Sequence, residues 1–232
     1  MATVKYETLF ADILPMVQGC PDPLIINAIR AAVIEFCEKT GAYQVELEPI
    51  TTISGTYEYD LEAPTGYNVH KIVWLTYEGN DLETSTPTLV EQNYPNWRAS
   101  SGTPEVYVKA SQGFFHLIPV PDSTRASSVR LRAQLKPNRV STSCDSAILD
   151  DYRDAIVNGA LFRILRIPSR DWSDLQASIL YSKLYQEGVL DAERRARGAD
   201  SGVARKTNYG GLYTRRNTGK YANRRIFRSG SY

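Results

Sequence analysis

The stretch CPDPLIINAIRAAVIEFCEKTG, residues 20–41, decides how the chain begins to fold. Ile25, Ile29, Ala32, Val33 and Phe36 recur at helical spacing, so they share one apolar face. Asp22 is placed to cap that helix and Pro23 suits its first position. Gly41 suits its stop, because glycine adopts left-handed backbone without steric cost. Upstream, YETLFADILPMV (6–17) reads as a shorter amphipathic segment, broken near Pro15 and Gly19.

Residues 45–138 change character. YEYDL, HKIVWLTY, EVYVKA, FFHLIP and VRLRAQLKP are short runs of β-branched and aromatic residues, separated by Pro, Gly, Ser and Asn. EVYVKA and VRLRAQL alternate apolar with polar, as half-buried strands do. The connection at 81–104, DLETSTPTLVEQNYPNWRASSGTP, is long and irregular, with room for short helical turns. Loops of that length tend to serve function or a partner.

Helical spacing returns at 146–168, where Leu149, Tyr152, Ile156 and Ala160 form a stripe beside Gly159. A glycine inside a helix costs about 1 kcal/mol against alanine, so close approach of a neighbouring helix is its expected compensation. Residues 169–198 then read as one long helix, capped by Ser169 or Ser173. Trp172, Leu175 and Ile179 point one way, Leu180 and Leu184 another, Tyr181 and Tyr185 a third. So much apolar surface exceeds what one subunit's helices cover, and predicts contact with another subunit.

The pattern predicts an α+β chain. Residues 1–44 and 141–199 form a helical bundle, residues 45–140 an inserted antiparallel β domain (sandwich or small barrel), and 200–232 an extended basic arm. From Ser201 to Tyr232 there are eight Lys or Arg and no Asp or Glu. The whole chain has 27 basic and 26 acidic residues, which leaves 19 against 26 before the arm. An acidic body therefore carries a basic tail. The arm cannot bury enough apolar surface to order alone. Its Tyr209, Tyr213, Tyr221, Phe227 and Tyr232 exceed what a solubilising tail needs, and Tyr with Arg anchors interfaces. The same mix stacks on single-stranded nucleic acid, so composition leaves a protein groove and nucleic acid both open.

Candidate chemistry is sparse. Hydrophobic content of 42% is ordinary for a soluble protein, and no apolar run nears the roughly 20 residues of a membrane span. The N-terminus lacks the look of a secretory leader, and Cys20, Cys37 and Cys144 include no CxxC pair, so reduced thiols in a cytoplasm are expected. His70 and His116 sit inside strand patterns with no ligand spacing, and read as structural. Asp150, Asp151 and Asp154 read as a solvated acidic face, the first two favouring a helix N-terminus. Cys144 has no basic neighbour in sequence to activate it. No nucleotide loop or nucleophile elbow is present, and the expectation is no catalysis, no cofactor and no metal.

Three stretches carry a resemblance: LIINAIRAAVIEFCEKTGAY (24–43), SGTPEVYVKASQGFFHLIPVPD (101–122) with its turn at Pro119, Pro121 and Asp122, and LDDYRDAIVNGALFRILRIPSRDWSDLQASILYSKLYQEGV (149–189). Across roughly residues 5 to 195 the chain resembles the head-to-tail adaptors of short-tailed bacteriophages. That resemblance implies a virion protein assembled in the host cytoplasm as a dodecameric ring. The ring joins the portal to a tail nozzle or tube, and genomic DNA passes through its lumen. The arm would dock on the portal through Arg205, Lys206, Tyr209, Tyr213, Arg215, Arg216, Lys220, Tyr221, Arg224, Arg225, Phe227 and Arg228. Trp172, Leu180, Tyr181, Leu184 and Tyr185 would form the subunit interface, and Tyr94 and Trp97 would either face the nozzle or serve as core aromatics. A nucleic-acid-binding protein acting through the arm is the alternative, and a small enzyme the remoter one.

Overall fold

Helix α2 (Asp22–Thr40) anchors the architecture, following a first run of turns that includes the short α1 (Phe10–Ile13). The computed structural model describes residues 3–110 and 113–198. Asp22 is the first residue of α2 rather than its cap, so its carboxylate acts on the helix dipole instead of a specific N–H. Gly41 ends α2 in left-handed backbone at φ 60°, with its N–H on Cys37 O at 3.1 Å. Ile25, Ile29, Ala32, Val33 and Phe36 are all buried.

The β region is built on the long antiparallel pair β5 (Tyr67–Tyr77) and β12 (Arg125–Pro137). Beside β12 lie β2 (Gln44–Glu46) and β3 (Ile50–Thr52), and β6 (Asn80–Asp81) borders β5. A second sheet runs in the order β4 (Glu58–Asp60), β10 (Phe114–Ile118), β9 (Val106–Lys109), β7 (Glu83–Thr84), the last pair parallel. Two small pairs complete the strands. β1 (Thr3–Lys5) pairs with β13 (Ser143–Asp145), and β8 (Ser101–Gly102) with β11 (Val120–Pro121).

Alternation decides which side chains point inward. Val129, Leu131, Ala133 and Leu135 of β12 are buried, while Arg130 is exposed and Arg132 pairs with Glu46. Their apolar face meets α2, so one continuous core runs from Ile25 and Ile29 to Leu75, Phe115 and Leu131. Where β5 slips register between Val69 and Lys71, Lys109 Nζ donates to Val69 O at 3.1 Å and His70 O at 2.6 Å. That ammonium ties the two sheets together. The long connection holds α3 (Pro87–Asn93) and a tight turn at Trp97–Ala99, the short helical turns its sequence predicts.

The second helical run departs from the pattern. It is split at Tyr152 into α4 (Ser146–Asp151) and α5 (Arg153–Leu165). Asp150 and Asp151 therefore close α4 rather than open a helix, and only Asp154 lies in a first turn. The following helix, α6, spans Leu175–Ala196. Its cap is Asp174, which accepts from Ala177 N at 2.9 Å, and not Ser169 or Ser173. Ser169 instead takes φ 60°, bending the chain before the helix starts.

Several buried acids are held neutral by this core. Tyr43 is pushed up to about 12 by burial and by Asp145, whose Oδ2 accepts from its hydroxyl at 3.3 Å. Cys144 is likewise pushed up to about 12 by burial and by Asp145. Burial also raises Cys37, Tyr6, Tyr67 and Tyr185. Unfolding returns these thiols and phenols toward ordinary values of 9.0 and 10.0. Above those values the unfolded chain binds fewer protons than the native one, so stability is full below them and declines as pH climbs toward 12. The urea midpoint is expected to be lower at about pH 11 than at about pH 8. Equal midpoints would contradict the burial of these groups.

Candidate assembly interface

Helix α6 presents two different surfaces. Its inner one consists of Ser178, Tyr185, Val189 and Ala192, all buried, with Tyr181 partly buried beside them. These positions recur at three- and four-residue steps and so form a single stripe. Tyr185 is 2% exposed and donates its hydroxyl to Ala32 O of α2 at 3.2 Å. Ser178 Oγ donates to Phe162 O of α5 at 2.9 Å.

Two glycines let this stripe seat. A Cβ on Gly159 would lie 2.8 Å from the Tyr185 ring and 3.0 Å from Ala32 Cβ. A Cβ on Gly188 would lie 2.7 Å from Ala155 Cβ. Close helix approach, the expected compensation for Gly159, is thus realised by an aromatic ring lying over it. Arg163 seals the edge of the joint. Its guanidinium lies 4.4 Å from the Phe162 ring centroid and 5.6 Å from that of Tyr185, and it pairs with Glu35 of α2.

Away from this stripe, α6 leaves large aliphatics in solvent. Leu175, Ile179 and Leu190 are 63%, 53% and 51% exposed along one flank, and Leu180 and Leu184 56% and 38% along the other. Among the described residues, then, α6 is buried on one face only. The apolar residues that sequence reading assigned to several directions divide into one docked stripe and two uncovered flanks. Leu190 was not singled out from sequence, although it falls on the Ile179 flank about three turns further along.

The five side chains expected at a subunit interface are placed differently from one another. Leu180 and Leu184 are on the uncovered flank. Tyr181 is half-spent on the core, and Tyr185 is wholly spent within its own subunit, which corrects its assignment to an intersubunit contact. Trp172 precedes α6 and packs against the core, and its Nε1 is buried with no acceptor among the described residues.

The pair expected to face a tail component is also divided. Trp97 is 5% exposed and belongs to a small core with Val90, Val106, Val108 and Ile118, so it is not a surface anchor. The Tyr57 and His116 rings lie 5.3 Å and 5.5 Å from it, and Arg98 covers it at 4.5 Å. Tyr94 packs at the margin of that cluster, partly exposed. His116 Nε2 sits 3.0 Å from Glu58 Oε2, a structural pairing across strands. Cys20, Cys37 and Cys144 are buried free thiols. Among the described residues no three His, Cys, Asp or Glu side chains could hold a metal, and no helix is long and apolar enough to cross a membrane. All twelve expected arm residues, Arg205 to Arg228, lie outside the described residues.

Comparison with known families decides the assignment. The family model described as SU10 adaptor protein matches residues 5–207. The chain belongs to the SU10 adaptor family. This is a family of phage head–tail adaptors, so the protein is a structural component at the head–tail joint of a virion. No curated protein matches the chain. Membership implies contact with portal and tail components, and such adaptors are typically non-enzymatic. The match extends beyond α6 into the first residues of the basic arm.

Proposed function

We propose that this adaptor assembles as a closed ring, dodecameric by resemblance, with the uncovered flanks of α6 as its subunit contact. The ring joins the portal to the tail nozzle or tube and lets genomic DNA pass. The observation that carries this reading is the set of five exposed aliphatics on α6. Single apolar side chains on a surface need no explanation, but five large aliphatics exposed on one helix do. A head-to-tail contact between two different patches closes into a ring when the rotation between copies closes. The long connection, with Leu89 exposed and Tyr94 at its margin, would face the tail component.

The arm is the portal-docking element in this reading. Its arginines pair with acidic or carbonyl groups, its aromatics fill pockets between portal subunits, and repetition around the ring multiplies a weak contact. Co-sedimentation with purified portal rings, after nuclease treatment and at two salt concentrations, tests it. Full-length protein is expected to sediment with the portal, and a truncation ending at Asp200 is expected not to. Should neither form bind portal while the full-length protein shifts DNA in a salt-sensitive way, the arm is a phosphate binder and the docking role fails.

A further inference from the structure

The two sheets leave a gap between β3 and β4. Among the described residues β3 pairs only with β12, and β4 only with β10. Leu117 N donates to Tyr57 O at 2.9 Å, and Leu61 N to Gly113 O at 2.7 Å. The alternation of an antiparallel ladder then spends the Tyr59 backbone on β10 and turns the N–H and C=O of Glu58 and Asp60 away from it. Those groups border an open groove of about 390 Å³. Tyr59 is part of its lining and holds the β3–β4 turn in place, its hydroxyl accepting from Ile53 N at 3.2 Å and donating to Thr56 O at 2.8 Å.

A free strand edge accepts an extended segment by completing its backbone ladder. The walls say what charge that segment carries. Glu48, Glu58, Asp60 and Glu62 line the groove beside Ile50 and Ile53, and among the described residues the lining includes no Lys or Arg. The complementary polypeptide is basic, free of acidic residues and punctuated by β-forming side chains. Residues 201–232 have that chemistry. Their eight positive charges stand without one carboxylate side chain, and LYTRR (212–216) and RRIFR (224–228) each join β-formers to arginines.

We propose that the groove between β3 and β4 receives the basic C-terminal segment of a second copy of the chain, as a strand added along Glu58 and Asp60. The inference is independent of portal docking: it gives the segment a seat before any portal is met, and its test contains no portal. Contact between copies in this way is steered by charge and weakened by salt.

Amide hydrogen exchange on the full-length protein reads the occupancy of the edge. The Glu58 and Asp60 amides are expected to exchange at least about tenfold more slowly than in a variant whose eight Lys and Arg between 201 and 232 are all replaced by Gln. Unchanged exchange along β5 and β12 shows that the variant's fold is intact. Fast exchange at Glu58 and Asp60 in both proteins overturns the proposal, and the acidic edge then serves only to discourage edge-to-edge pairing. Slow exchange in both overturns it too, because something other than the basic segment covers the edge. Zero-length cross-linking in a mixture of isotope-labelled and unlabelled chains identifies the source. Bonds from Lys206 or Lys220 to Glu58 or Asp60 are expected between differently labelled chains. Bonds confined to single chains would overturn the second copy as occupant.

Discussion

Tyr185→Ala is expected to lower the unfolding free energy by about 3–5 kcal/mol, the range for removing a large aromatic from a core. The ring is 2% exposed and lies over Gly159, which has no side chain of its own to fill the space the ring leaves. Its loss also strips Arg163 of one stacking partner and frees the inner stripe of α6 from α2. Tyr185→Phe keeps the ring and removes the hydroxyl, with its bond to Ala32 O and its contact with Arg163, so about 1 kcal/mol is expected from it. Urea denaturation of the two variants separates packing from hydrogen bonding. Equal costs for both would mean the hydroxyl, and not the ring, holds α6 in place.

Leu180→Glu combined with Leu184→Glu is expected to abolish assembly while leaving the subunit folded. The two leucines are 56% and 38% exposed in the isolated chain and touch little of its core. A leucine fully buried at a contact is worth about 1.5–3 kcal/mol, and a carboxylate forced into the same site reverses that sign. Because every subunit carries the change, the penalty recurs at each contact of a ring. Analytical ultracentrifugation should show large assemblies for the native protein and monomers for the variant, with matching circular dichroism and thermal unfolding. Assemblies of unchanged size in the variant would remove α6 from the interface, and a variant that fails to fold would show those leucines to be internal.

Some of this molecule is written in short stretches of chain. The buried face of α2 follows from residues three and four apart, and its stop from the one residue at Gly41 that takes left-handed backbone freely. The inward side chains of β12 follow from strict alternation. Gly159 announced a close approach before its neighbour was known. The acidic body, the basic arm and the adaptor resemblance were legible for the same reason, since each is a property of composition or of contiguous pattern.

Other features depended on partners far away in sequence. Ser169, Ser173 and Asp174 are all competent caps, and the start of α6 was settled by a left-handed Ser169 and by Asp174 N donating to Leu165 O at the end of α5. Trp97 turned inward because Tyr57 and His116, brought from other strands, enclose it. Tyr185 and Leu180 look equally apolar along the helix. Only the space above Gly159 and a carbonyl at Ala32 made one of them core and left the other in solvent. By itself the sequence determined the order of helical and strand regions along the chain and the family they belong to, because local spacing and composition carry that information. The tertiary structure alone decided which apolar residues of α6 are used up within the chain and which stay exposed, because that choice rests on contacts with other helices, from Gly159 and Phe162 of α5 to Ala32 of α2, 153 positions from Tyr185.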